Sequence, residues 1–214
     1  MAVVLVIGAS AGIGLATVRR ALAEGHRVRA LARRASSIPG HESGLEKVPG
    51  DALDRVAVAA ALHGVDAAIQ TVGAPKDVAT MLWGTRLFSS ATRILIDAMR
   101  ERGTRRLVAV TGLGAGDSRG HGGLLFNAVA FPLVLERVYN DKDVQEQMIR
   151  ASGLDWTIVR PGLLRNGRAM GRVRALTDPK AWTTGSVTRA DVADFLVREA
   201  FEGRFVGRTP LLIE

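Results

Sequence analysis

Between an unbroken apolar run, Val3-Val4-Leu5-Val6-Ile7, and a helical pattern that begins at Ile13 stands the segment Gly8-Ala9-Ser10-Ala11-Gly12-Ile13-Gly14. Each glycine has its own task in such a turn. Gly8 reverses the chain tightly at a strand end, Gly12 lets the backbone approach a pyrophosphate, and Gly14 lets the helix lie close to the strand. The helix N-terminus adds free amide donors and a positive dipole end, with Ser10, Ala11 and Ile13 beside the glycines. A strand-to-helix turn with no ligand is the plainer alternative, but the placement directly between strand and helix favours a dinucleotide. A Walker-type phosphate loop is disfavoured, because no Gly-Lys-Ser/Thr follows.

The rest of the chain repeats this alternation. Val3 to Ile7, Arg27 to Leu31, Asp66 to Thr71, Arg106 to Thr111 and Asp155 to Arg160 read as strands. Helical patterns fill the intervals: Ile13 to Glu24 before Gly25, Leu82 to Arg102 before Gly103, and one within Phe131 to Ala151 that ends near Gly153. Thr188 followed by Asp191 predicts an acidic variant of the capping box and a helix over Arg189 to Phe201, with Pro210 to Ile213 as a final strand. Strands without polar alternation belong to sheets covered by helices on both faces. The expected fold is therefore α/β, a single Rossmann-type doubly wound parallel sheet. No linker or internal repeat divides residues 1–214, so one domain is expected, with irregular loops at Gly112 to Gly123 and Leu163 to Ser186 on the substrate side.

Composition narrows the function classes. With 47% hydrophobic and 23% charged residues over 214 positions the chain is neither disordered nor fibrous. The apolar-leaning stretch Leu124 to Leu135 contains Asn127 and Pro132 and is too short to span a bilayer, so no membrane partner is expected. Met1 to Ile7 lacks the basic start and cleavage pattern of a signal peptide. The absence of cysteine excludes disulfides and thiolate chemistry and makes a cytoplasmic setting the default. His26, His41, His63 and His121 are scattered, so no metal site is expected. A net charge of +8 suits an anionic partner, yet the basic residues are spread along the chain and aromatics make up only 5%, which argues against nucleic acid. Nothing in the sequence sets an oligomeric state.

About 20 positions beyond the glycines, NAD-binding folds carry an acidic residue for the ribose hydroxyls. Here that place holds Arg33-Arg34. A guanidinium there accepts a 2'-phosphate and stacks on adenine, whereas a carboxylate repels it, so NADP(H) is expected in preference to NAD(H). The alternative is a pair of exposed loop arginines in an arginine-rich chain.

With these residues in place, the sequence resembles the short-chain dehydrogenase/reductase superfamily, in its atypical branch of NmrA-like and biliverdin reductase B/flavin reductase-like proteins. The resemblance runs through nearly the whole chain. It is carried by the Gly8 to Gly14 turn, Arg33, Gly50-Asp51-Ala52, Thr71-Val72-Gly73, Val110-Thr111-Gly112-Leu113-Gly114-Ala115-Gly116-Asp117, Asp155-Trp156-Thr157-Ile158-Val159-Arg160-Pro161-Gly162 and Val187-Thr188-Arg189-Ala190-Asp191-Val192-Ala193. It implies that Asp51 and Ala52 contact the adenine, that Val72 and Gly73 lie along the adenosine, and that Pro161, Gly162 and Leu163 lie on the nicotinamide side. Asp51, in Pro-Gly-Asp, also fits a plain turn residue.

The chemistry is less sharply written. Relatives pair a Tyr with a Lys four residues later, so that a phenol is assisted by an ammonium. The single tyrosine, Tyr139, lies three residues before Lys142. It reads either as a catalytic acid at altered spacing or as a surface or interface aromatic. Thr111, ending a strand where relatives carry a hydroxyl near the nicotinamide, reads either as a donor to a substrate oxygen or as a structural residue; the next position, often Ser, is Gly112. Because the cofactor carries the reactive electrons, a reductase of flavins, quinones or carbonyl compounds can work without the strict pair, and a related isomerisation of the epimerase kind stays open. Arg165, Arg168, Arg172 and Arg174 favour an anionic acceptor if any point inward, and otherwise line a solvated loop or, in the alternation Arg172-Val173-Arg174-Ala175, the outer face of a half-exposed short strand. The rival reading is a non-enzymatic NADP(H)-binding, redox-sensing regulator of the NmrA-like type.

Overall fold

The computed structural model of the chain describes residues 1–73, 84–119 and 136–214. Strand β1 (Val3–Ile7) sends alternate side chains into two separate apolar layers, which is why it shows no polar face: Val4 and Val6 enter one, Leu5 and Ile7 the other. Helix α1 (Gly12–Ala23) covers the first layer, and β2 (Arg27–Ala32) returns parallel to β1. Then follow β3 (Leu45–Pro49), α2 (Arg55–Ala61), β4 (Ala67–Gln70), α3 (Leu87–Arg102), β5 (Arg106–Val110), α4 (Glu136–Arg150) and β6 (Asp155–Pro161). Beyond these come β7 (Leu163–Arg165), β8 (Arg174–Leu176), β9 (Ser186–Thr188), α5 (Arg189–Glu202) and β10 (Leu211–Ile213).

The main sheet has eight strands in the order β3-β2-β1-β4-β5-β6-β10-β8. All neighbours are parallel except β10 and β8. Helices α1 and α5 bury Val18, Ala21, Val192 and Leu196 on one face, while α2, α3 and α4 bury Val58, Leu95, Met99 and Ile149 on the other. This is the expected Rossmann-type fold. The chain runs outward from β1 in both directions, so the crevice of the fold opens beyond the C-terminal ends of β1 and β4.

Three expectations need correction. The helix expected from Leu82 starts at Leu87, because Gly84 takes a positive φ of 76° that a helix cannot continue through; Leu82 itself lies outside the described residues. The stretch Leu163 to Ser186 is not simply irregular: it holds β7, β8 and the first residue of β9. The capping box is only half formed. Thr188 Oγ1 accepts from the Asp191 amide at 3.0 Å, but the Thr188 amide donates to Glu214 instead of to Asp191.

The α5 side of the sheet is fixed by a buried ion pair. Arg106 Nη2 lies 2.6 Å from Glu199 Oε1, and the same guanidinium donates to the Glu199 and Asp155 carbonyls. Glu199 Oε1 also accepts from Thr157 Oγ1 at 2.8 Å and from the Phe205 amide at 2.9 Å. Removing one partner of such a pair strands the other charge in the interior. Glu199→Ala should therefore lower unfolding free energy by about 3–5 kcal/mol. Urea titration checks this, and a loss below about 1 kcal/mol, the worth of an exposed pair, would show that the pair does not anchor the helix.

Candidate functional site

The glycine turn is built around close approaches. Gly8 has a φ of +85°, and a Cβ there would stand 2.7 Å from the Thr71 carbonyl oxygen. A Cβ on Gly14 would stand 2.2 Å from the Gly8 oxygen and 2.5 Å from Thr71 Oγ1. Thr71 completes the knot by donating through its amide and its hydroxyl to the Ile7 carbonyl. The Gly8 amide donates to Leu31, so the ends of β1, β2 and β4 meet at one point.

Gly12 differs from both. Its φ is +56°, and nothing lies within 4 Å of where a Cβ would be. Ala11, which precedes the helix, offers no side-chain cap to the first-turn amides. Exposed backbone, open space and amides without a side-chain acceptor are what a pyrophosphate requires, and the turn fits that group. Ser10 and Ile13 are half-buried at its rim, and Ala11 is exposed.

Arg33 and Arg34 follow β2 directly. Both are exposed, and among the described residues neither guanidinium has an ion-pair partner. Asp51 follows β3 and accepts from the Leu53 amide at 3.0 Å, a turn contact that occupies one carboxylate oxygen. Ala52 and Val72 are half-buried against the α2 and α3 layer, and Gly73 is exposed. These positions all stand at the strand ends that border the crevice.

The ends of β5 and β6 carry a second cluster. Thr111 is 6% exposed, and its hydroxyl donates to Glu146 Oε1 at 2.8 Å. Lys142 Nζ donates to the Thr111 carbonyl at 2.9 Å and lies 4.2 Å from the centre of the Phe88 ring. The Tyr139 hydroxyl lies against Gly112, where a Cβ would come within 2.9 Å of it. Thr111, Tyr139 and Lys142 are thus brought together despite the three-residue spacing. Burial pushes the Tyr139 phenol up to about 12. Burial also pulls Lys142 down to about 8, against the opposing pull of the Glu146 and Asp141 carboxylates.

Two members of this cluster escaped the sequence reading. Glu146 belongs to none of the motifs, and Arg160 stands out only as a strand end and a member of a family motif, with no role attached. Arg160 is fully buried, donates from Nε and Nη2 to the two Glu146 oxygens at 3.0 and 2.5 Å, and lies 5.1 Å from the Trp182 ring. The available signal was the spacing of Glu146 from Lys142, four residues along one helix face.

The remaining candidates form the rim beyond β6. Pro161 is buried, Gly162 donates its amide to Leu212, and Leu163 is 74% exposed. Arg165 pairs with Glu214. Arg168, Arg172 and Arg174 are exposed, so the four arginines face solvent. The expected loop at Gly112 to Gly123 begins with buried residues and a short 3-10 turn at Gly116–Ser118, and positions 120–123 lie outside the described residues.

A family model described as NAD(P)H-binding matches residues 8–202. The chain is 30% identical over 180 residues to an uncharacterized sugar epimerase, YhfK, of Bacillus subtilis, covering 80% of this chain and 75% of that one. It is 29% identical over 181 residues to the (4-alkanoyl-5-oxo-2,5-dihydrofuran-3-yl)methyl phosphate reductase of Streptomyces griseus, covering 81% of this chain. It spans about half the length of two of the curated relatives it matches, 51% and 55%. Among solved structures, ChuY, an anaerobillin reductase from Escherichia coli O157:H7, superposes with a TM-score of 0.81 at 30% identity, covering 99% of this chain and 97% of that one. With the family model matching most of the chain, the chain belongs to the NAD(P)H-binding family, in keeping with its resemblance to the short-chain dehydrogenase/reductase superfamily.

Proposed function

We propose that this chain binds NADP(H) in preference to NAD(H) and reduces a small organic acceptor, such as a flavin, a quinone or a conjugated carbonyl compound. The observation that carries the reading is the placement of the open Gly12 turn and the Thr111, Tyr139 and Lys142 cluster at the same edge of one sheet. Two reductases among the similar proteins support it. The reading extends to one domain over residues 1–214 and a cytoplasmic setting for a cysteine-free chain; with Arg165, Arg168, Arg172 and Arg174 facing solvent, the net charge of +8 is the remaining support for an anionic acceptor.

The bound nicotinamide would supply the hydride. The chain's own residues would supply position and a proton. The Gly12 to Gly14 amides would hold the pyrophosphate, Arg33 and Arg34 would hold the 2'-phosphate, and Pro161, Gly162 and Leu163 would border the nicotinamide end. Tyr139, kept protonated by burial, is the proton donor to the reduced acceptor. The Lys142 ammonium, anchored on the Thr111 carbonyl, favours the charge left on the phenol. The Thr111 hydroxyl proton is engaged by Glu146, so this residue offers an acceptor lone pair to the substrate rather than a donor. An epimerase would use the same parts but return the hydride, with no net oxidation of the cofactor. A redox-sensing regulator would bind NADP(H) and turn nothing over.

Titration should show NADPH binding about ten- to a hundredfold tighter than NADH, the worth of one charged hydrogen bond. Arg33→Ala should close most of that gap, and equal affinity of the unaltered protein for both cofactors would contradict the preference. Net oxidation of NADPH by a panel of flavins, quinones and conjugated carbonyls then separates the reductase from both rivals.

Lys142 gives a prediction in pH. Its ammonium is lost as pH rises through about 8, so the rate should fall there and the inflection should vanish in Lys142→Met. Stability should move the opposite way. The unfolded chain holds this proton up to its ordinary value of 10.5, so the folded state gains stability from pH 8 towards 10.5. An unaltered rate profile in Lys142→Met would remove Lys142 from the proton path.

A further inference from the structure

A cavity of about 510 Å³ runs along α1 from the Gly12 turn to Arg20 and faces the N-terminal part of α5, and Gly12, Arg19 and Arg189 help to line it. Its outer wall is the chain that joins β7 to β8, through Asn166, Gly167 and Ala169. That connection is exposed from residue 166 to residue 172. Among the described residues, 167–172 make no backbone-to-backbone hydrogen bond. Left to itself, such a segment has nothing to hold it against the cavity.

What holds it is the first turn of α5. The Met170 amide donates to both carboxylate oxygens of Asp191, at 3.0 and 2.9 Å, and the Gly171 amide donates to Oδ1 at 2.9 Å. Asp191 is 2% exposed and also accepts from Thr188 Oγ1 at 2.6 Å. A second tie runs from Arg189 Nη1 to Asn166 Oδ1 at 2.8 Å. Burial alone would raise the Asp191 carboxyl, but the Thr188, Met170 and Gly171 hydrogen bonds and the Arg165 charge hold it below the usual carboxylate range. The fastening is therefore an ionised carboxylate at neutral pH, and charged hydrogen bonds are the strong ones.

We infer that residues 166–171 form a strap across the phosphate end of the dinucleotide site, and that Asp191 is the positioning residue that fastens it. The inference rests on the reading that Gly12 holds the cofactor. The strap closes the cavity beside the Gly12 turn, and three guanidinium groups of its lining, Arg19, Arg20 and Arg189, outnumber its one carboxylate, Asp194, which pairs with Arg20 at 2.7 Å, leaving a positive balance suited to phosphate oxygens. Asp191 touches neither cofactor nor acceptor; it sets where the strap stands.

The strap contains its own reporter, since trypsin cuts after arginine and Arg168 and Arg172 are exposed within or beside it. Limited trypsin digestion of the full chain should cut there, and saturating NADPH should slow the cut several-fold. In Asp191→Asn an amide NH2 replaces one accepting oxygen. Digestion at these arginines should then be about tenfold faster, and stopped-flow release of NADPH about tenfold faster, as loss of a charged hydrogen bond implies. Asn166→Ala, which cuts only the exposed tie and leaves the core untouched, should shift both readouts in the same direction by a smaller factor. It keeps the test available if Asp191→Asn folds poorly. NADPH that binds normally without protecting Arg168 and Arg172 would overturn the strap alone. Unchanged release in folded variants would do the same, whatever their melting temperatures. Failure of the unaltered protein to bind NADPH or NADH would overturn the dinucleotide reading, and the strap with it.

Discussion

The structure turns on how close helix α1 comes to the ends of β1 and β4. At Gly14 the helix backbone leaves no room for even a methyl group against the Gly8 carbonyl and the Thr71 hydroxyl, and at Gly8 the chain lies equally tight against Thr71. This contact places the first turn of α1 at the crevice where the strand order reverses. The backbone of that turn is exposed at Gly12, with open space where a side chain would stand, and no side chain caps its amides. Binding capacity in this fold follows from a steric constraint two residues away. The glycines are therefore not interchangeable: Gly8 and Gly14 hold the architecture, and Gly12 leaves room for a ligand.

A second constraint governs the opposite half of the site. Helix α4 carries Asp141, Gln145 and Glu146 as buried polar residues on the side that packs inward. Such groups are costly to bury unless each finds a partner. Asp141 accepts from the first amides of α3, and Glu146 is shared by Arg160 and Thr111. The network orients α4 so that Tyr139 and Lys142 both reach the end of β5. Gly112 leaves room for the Tyr139 hydroxyl, which would stand 2.9 Å from a Cβ at that position.

Much of this was legible in the sequence, for identifiable reasons. Strand segments such as Val3–Ile7 and Leu107–Val110 are continuous apolar runs because both their faces are buried, and the glycine turn declares itself by its position between strand and helix. The start of α3 was not legible, because Leu82 and Trp83 match the apolar pattern of a helical turn, while Gly84 takes a positive φ and Arg86 stands at the N-cap of a helix that begins at Leu87. Within Leu163 to Ser186 the alternation at Arg172-Val173-Arg174-Ala175 pointed to a short half-exposed strand close to β8, whereas β7 stayed hidden because its pairing partner, β9, lies far along the chain. Asp191 looked like half of a local capping box; its carboxylate instead serves Met170 and Gly171, some 20 residues away in sequence. Glu146 and Arg160 were hidden for the same reason, since a pairing between a helix and a strand leaves no periodic trace.

The most direct test of this account is a crystal structure of the chain with NADPH bound. The account predicts pyrophosphate oxygens on the amides of the Gly12 to Gly14 turn, the 2'-phosphate against Arg33 or Arg34, and the nicotinamide beside Thr111, Tyr139 and Pro161. A cofactor bound away from the Gly12 turn, or with its nicotinamide remote from Tyr139 and Lys142, would contradict it.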